Sequence, residues 1–348
     1  MRFMPVCLLL AASQASVSRA QSPVDFQGKT INLIVGFPPG GGTDGAGRVI
    51  AGHFGRHLPG NPGMAVSNVP GAEGVTAMNY FVQQARPDGL SLTMGSGSLG
   101  DPIHYRKPQS KYDPTKLSFI AGSGRGGSAL IVSAAAAPRL HDKSLPPVVM
   151  GSTTGIPRSG MLMTAWGIEF LGWNARWVVG YAGTGNLMLA LERGEIEMTS
   201  TSNLPLIQKL VAAGRFRVLA QSGALENGRM VARGEMPDTP VFESMIEGRI
   251  ADPVARAGFV YWRTLNAIDK WLALPAQTPE PILAAYRRGF SAMLKDAAFL
   301  DQAKKISEDF EPRSGSEVET MIATLGATPV EATAYIDAML RRQGLTVE

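Results

Sequence analysis

The sequence predicts an α/β fold in which apolar strands alternate with helices about parallel sheets, and three observations predict it. Ile31–Gly52 passes from an apolar strand through a glycine loop into a helix pattern. Further strands and a second helix pattern follow in strand–helix–strand–helix–strand order, the arrangement of a parallel sheet with crossover helices. The second half of the chain then repeats one unit: a strand, a Gly/Ser/Thr loop and a helix.

Ile31, Leu33, Ile34 and Val35 form the first strand, and Pro38, Pro39 and Gly40–Gly42 the loop after it. Ala46, Val49, Ile50, Phe54 and Leu58 recur at helical spacing, and Pro59-Gly60-Asn61-Pro62 stops that helix. Met64–Val69 is the second strand. Met78, Phe81 and Val82 mark the next helix, and Leu90–Met94 is a third strand running into Gly95-Ser96-Gly97-Ser98. Leu117–Gly122 and Leu130–Ser133 flank a glycine-rich crossing, Ser123–Ser128, into a second domain. There Pro146–Met150, Trp177–Val179, Ile196–Thr199 and Phe216–Ala220 read as strands. Segments 160–166, 186–193 and 206–210 read as helices. Amphipathic helices fill Pro279–Ala338 and are expected to pack back onto the first domain as a brace.

A chain of 348 residues, 45% hydrophobic and 18% charged, suffices for two cored domains. Arg2, the apolar run Met4–Ala12 and the small-x-small Ser18-Arg19-Ala20 have the form of a secretory signal, residues 1–20, cut before Gln21. The run is too short to span a bilayer. Cys7, the one cysteine, lies inside it, so the mature chain would hold no disulfide and no thiolate. Loss of Arg2 and Arg19 would lower the formal charge from +4 to +2. No Lys/Arg run occurs, so nucleic acid is not an expected partner.

Three glycines between a strand and a helix start present backbone N–H groups at the positive end of a helix, a seat for an anion. The loops of the second half offer amides and hydroxyls rather than titrating groups. This polarity suits a small carboxylate that is captured, not transformed. Gly40, Gly42 and Gly45 also fit the dinucleotide pattern G-x-G-x-x-G. Against it, Pro38 and Pro39 lengthen the turn, and Ser67-Asn68 stands where a ribose-binding acid belongs. A second match, Gly122, Gly124 and Gly127, precedes a strand. No cofactor is therefore expected. His53 and His57, four apart, have metal-ligand spacing, but they border an apolar stripe and read as a structural pair. Asp44 suits a helix N-cap, or a cleft-facing charge that screens ligands, and both readings stand. Trp166, Trp173 and Trp177 are expected in the core. The alternative is an exported hydrolase or transferase using Asp44 and a histidine, although neither a G-x-S-x-G nor a Walker lysine motif is present.

The run VGFPPGGGTDGAGRVIAGHFGRHLPGNP resembles the first ligand loop of the substrate-binding proteins of tripartite tricarboxylate transporters, the Bug family. SNVPGAEGVTAMNYFVQQARPDGLSLTMGS, YDPTKLSFIAG, VVGYAGTGNLMLALERGEIEM, PDTPVFE and ALPAQTPEPILAAYRRGFSAMLKD continue the likeness in order over nearly the whole mature chain. The resemblance implies the type II periplasmic-binding-protein fold. In it two Rossmann-like lobes (residues 21–121 with 241–348, and 122–240) close about an interdomain cleft as a Venus flytrap. It implies a periplasmic monomer, not an enzyme, that captures a small organic acid by hinge closure and delivers it to membrane permease subunits. The ligand would be a di- or tricarboxylate or an aromatic acid, held by main-chain amides from one loop in each lobe, without metal or cofactor. Carried over, the first lobe contributes Phe37, Pro38, Gly40, Gly41, Gly42, Thr43, Asp44, Gly95 and Ser96. The second contributes Ser152, Thr153, Thr154, Gly155, Thr184, Gly185, Ser202 and Asn203. The loop Thr153–Pro157 departs from the family's usual serine–glycine loop, and Ala251–Lys270 reads as an insertion.

Overall fold

The computed structural model describes residues 23–40, 42–124, 127–152, 159–181, 184–226, 229–306 and 310–345. The signal segment with Cys7, and Gly41 and Thr153–Gly155 of the ligand loops, lie outside the described residues.

In chain order the strands are β1 (Thr30–Val35), β2 (Gly63–Asn68), β3 (Ser91–Ser96), β4 (Ser118–Gly124), β5 (Ala129–Ser133), β6 (Val148–Ser152) and β7 (Ala175–Val179). They continue as β8 (Met198–Thr201), β9 (Phe216–Gln221), β10 (Ala224–Glu226), β11 (Arg229–Val231), β12 (Lys270–Leu274) and β13 (Glu311–Ser314). Among the described residues they form a six-stranded sheet, β13-β4-β12-β3-β1-β2, a five-stranded sheet, β7-β6-β8-β5-β9, and the β10–β11 hairpin.

The first sheet starts as the sequence predicts, with β2 and β3 parallel to β1 on either side. It is completed by strands running the other way: β12 lies antiparallel between β3 and β4, and β13 pairs antiparallel with β4. In the second sheet β6 is parallel to both β7 and β8, while β5 runs antiparallel between β8 and β9. β1 is buried on both faces. Ile31, Leu33 and Val35 join one apolar cluster with Ile50 and Phe54 of helix Gly42–Phe54 and Tyr286 and Phe290 of helix Glu280–Met293, whereas Ile34 enters another. Alternation along a pleated strand sends successive side chains to opposite faces, and both faces here carry helices.

Segment 251–270, read as an insertion, supplies helix Pro253–Ala267, whose Phe259, Tyr261 and Trp262 are buried, and leads directly into the central strand β12. One expectation is corrected: the C-terminal helices do not all brace the first lobe alone. Helix Glu280–Met293 does, with Phe54 edge-on to Tyr286 and Phe290 at 5.7 and 5.8 Å. Helix Val330–Arg342 packs mainly on helix Pro253–Ala267 and also reaches helix Leu162–Leu171: Tyr335 and Arg342 bond Glu169, and Gln343 bonds the Ala165 carbonyl. Trp166 and Trp173 are buried as expected, and Trp177 donates Nε1–H to Gln343 Oε1 at 3.1 Å.

Candidate functional site

The carboxyl ends of the strands bring most of the expected site residues to two sheet edges. Val35 and Met94 are register partners in β1 and β3, so the loop Phe37–Asp44 and the pair Gly95-Ser96 emerge side by side. On the second sheet Ser152 ends β6 opposite Val179 of β7, and β8 ends at Thr201, just before Ser202 and Asn203. Thr184 and Gly185 open helix Thr184–Arg193 beyond β7.

Register also joins the two edges. Lys270, the first residue of β12, lies opposite both Ser96 and Ser123, so β4 leaves the first sheet at the edge where β3 ends. β5 begins at Ala129 opposite Thr201 and Gln221, at the edge where β8 ends. Five residue steps from Gly124 to Ala129 reach at most about 18 Å, so the two carboxyl edges adjoin at this crossing. Ser128, Ser200 and Ser222 gather there. Ser128 donates its N–H to Ser222 Oγ at 2.9 Å, and a Cβ on Gly160 would stand 2.2 Å from Ser200 Oγ. Ser128 ends the glycine-rich crossing, but its meeting with Ser200 and Ser222 depends on β5 pairing with β8 and β9, which sequence neighbours do not show.

The glycines separate into those the fold needs and those it does not. Gly40 has φ +86°, and a Cβ on Gly36 would meet the Gly74 Cα at 2.8 Å. A Cβ on Gly95 would lie 2.1 Å from the Trp271 ring, so Gly95 is glycine because an indole covers it. Trp271 also donates to the Ser96 carbonyl at 3.0 Å. Gly42, Gly45 and Gly185 have ordinary φ and nothing within 4 Å of a would-be Cβ. They sit in the first turns of helices Gly42–Phe54 and Thr184–Arg193, each following a strand's carboxyl end. Neither strain nor packing calls for them.

The structure places Asp44 within the first turn of its helix. It is the third residue of its helix rather than its N-cap, and 1% exposed. Its carboxylate accepts from Arg48 Nε (2.9 Å), the Gly40 N–H (2.8 Å) and Asn68 Nδ2 (2.8 Å), and Asn68 also bonds the Phe37 carbonyl. The Arg48 hydrogen bond, helped by Gly40 and Asn68 against the cost of burial, lowers its pKa to about 2. Asp44 thus fixes the shape of the loop, and the Gly40 N–H is committed to it rather than bare. Arg48 was legible four residues on; Asn68 was not, because only the β1–β2 pairing brings it close. On the other lobe the Asn203 side chain caps helix Leu204–Ala212, accepting from the Leu206 N–H at 2.9 Å.

Three histidines make side-chain contacts within the fold. His57 lies 3.2 Å from Asp296, a carboxylate far away in sequence, while His53 contacts Arg56 and the Phe299 ring. His104 lies between Asp101 (3.6 Å) and Glu73 (3.1 Å); Asp101 first, then Glu73, raise its pKa against burial. Glu73 and Ala72 hold left-handed φ of 55° and 45° in the turn before Gly74, which backs Gly36. Among the described residues no histidine is a partner of Asp44, so the dyad of the enzyme alternative is not assembled there.

No family model matches the chain, and no curated protein matches it. Solved structures do. A TctC solute binding protein from Polaromonas matches with a TM-score of 0.67 and 19% identity, over 90% of this chain and 99% of its own. R. palustris Rpa4515 with adipate matches at 0.53 and 20%, over 91% and 99%. The periplasmic binding protein BugD matches at 0.52 and 18%, over 93% and 100%. The fold of this chain is that of the TctC and BugD solute-binding proteins.

Proposed function

We propose that the protein is a periplasmic receptor that captures a small organic carboxylate between the two sheet edges and hands it, as a monomer, to permease subunits of a tripartite tricarboxylate-type transporter. The lobes are residues 21–121 with 241–348 and residues 122–240, with the crossing at the end of β4. The observation that carries this reading is the set of glycines, Gly42, Gly45 and Gly185, that internal packing leaves unexplained at two helix starts on adjoining edges. Main-chain N–H groups of first helical turns have no intrahelical acceptor, and the helix dipole favours an anion there. The bound adipate of the similar R. palustris structure supports a dicarboxylate. A micromolar constant corresponds to about 8 kcal/mol. Each hydrogen bond to a charged group contributes about 1.5–3 kcal/mol, so four or five amides suffice after entropy losses.

A thermal-shift screen of adipate, other di- and tricarboxylates and aromatic acids tests this. A binding acid at a hundred times its dissociation constant should stabilise the protein by about 2.7 kcal/mol and be recovered unchanged. Gly42→Val, whose side chain meets open space in the free protein, should keep the melting temperature and lose that shift. Turnover of the acid, or an undiminished shift in Gly42→Val, would contradict the proposal.

A further inference from the structure

Helix Pro253–Ala267 lies between the parts that a two-lobed receptor has to move. On one side Phe259 and Trp262 pack against Trp166 of helix Leu162–Leu171, with ring centroids 5.3 and 6.4 Å away. Gly258 lets helix Val330–Arg342 come so close that a Cβ would stand 3.0 Å from the Ala332 carbonyl oxygen. That helix is in turn bonded to Leu162–Leu171 through Glu169 and Ala165. Helix Leu162–Leu171 lies between β6 and β7 of the second sheet in the chain.

On the other side Tyr261 donates its hydroxyl to Asp101 Oδ1 at 2.9 Å, a buried contact 160 residues apart in sequence. Asp101 follows directly on the turn Gly97–Gly100, which leaves the edge at Ser96 and packs on the same helix. A second tie lies nearby. Arg313 of β13, in the first sheet, donates Nη1 to the Leu225 carbonyl of β10, beyond the end of the second sheet, at 2.7 Å. One apolar cluster therefore runs from Ile34, Phe81 and Phe119 through Phe259 and Trp262 to Leu130, Met150 and Met198. Swinging the lobes wide apart would open that cluster to water.

We infer that helix Pro253–Ala267 is a strut that holds the lobes of the free protein at one fixed angle, with the Tyr261–Asp101 bond as its catch. The strut serves the receptor reading above, but its test needs no ligand. In a Cys7→Ser background, spin labels at Gln84→Cys and Lys209→Cys, both exposed and on different lobes, report the lobe separation by pulsed electron resonance. One narrow distance is expected for the free protein, and a broadened or second, longer distance for Trp262→Ala. A broad or two-peaked distribution in the unaltered protein would overturn the strut, as would a folded Trp262→Ala with the same narrow peak. Should Trp262→Ala fail to fold, Tyr261→Phe keeps the ring and drops the catch. Faster amide exchange at residues 97–101 with unchanged melting supports the inference, and unchanged exchange there refutes it. Failure of every acid to bind would undo the receptor reading and leave these distances as they are.

Discussion

Asp44 illustrates how one side chain can organise a loop. Its carboxylate gathers the Gly40 N–H, Asn68 and Arg48, fixing the entry to the first helix. Asp44→Asn should cost about 1.5–3 kcal/mol, the range for hydrogen bonds to a charged group, read as a shift in urea midpoint. Because the folded carboxyl titrates near 2 and the unfolded one near 3.8, this contribution is complete above pH 3.8 and is lost as pH falls towards 2. His104 works in the opposite direction. Its pKa is raised, so the stability it draws from Asp101 and Glu73 is complete below its ordinary value of 6.5 and lost as pH rises through the raised one. The unaltered protein should therefore lose more stability than His104→Gln between pH 5.5 and 8.5. Parallel losses in the two would show that the imidazole contributes nothing.

At the scale of elements, the strand ends carry the argument. β1 and β3 finish side by side, and Trp271 of β12 lies across Gly95. Gly95→Ala pushes a methyl into that ring and should destabilise by about 1–3 kcal/mol, as overpacked cores do. Melting equal to that of the unaltered protein would mean that Trp271 can move aside. The contrast with Gly42→Val, expected to affect binding and not melting, separates a glycine placed for packing from one placed for access.

For the whole molecule, the shared core decides cooperativity. Since one apolar cluster includes residues of both sheets, the lobes should unfold together. Tryptophan fluorescence, which reports Trp271 on one sheet and Trp166 and Trp173 beside the other, should superimpose on far-ultraviolet circular dichroism through a urea titration. Two resolved transitions would show that the cluster does not couple the lobes. Trp166→Ala, which empties the centre of the aromatic group, should cost about 3–5 kcal/mol and shift both signals equally.

What the amino-acid sequence determined by itself was local: the β1–β2–β3 succession, the Gly/Ser/Thr loops at strand ends, and helix faces such as Ala46, Ile50 and Phe54. Each is written in residues that are neighbours along the chain, where period and turn chemistry act directly. The candidate loops were legible for the same reason. Tertiary structure alone decided what depends on distant pairing: that KWLAL, after an apparent insertion, becomes the central β12, and that the last helix crosses to helix Leu162–Leu171. It also decided that Asn68, thirty-one residues from Phe37, secures that loop. A strand's place in a sheet and an amide's partner across one are set by which surfaces bury each other, and a reading confined to sequence neighbours contains no term for that.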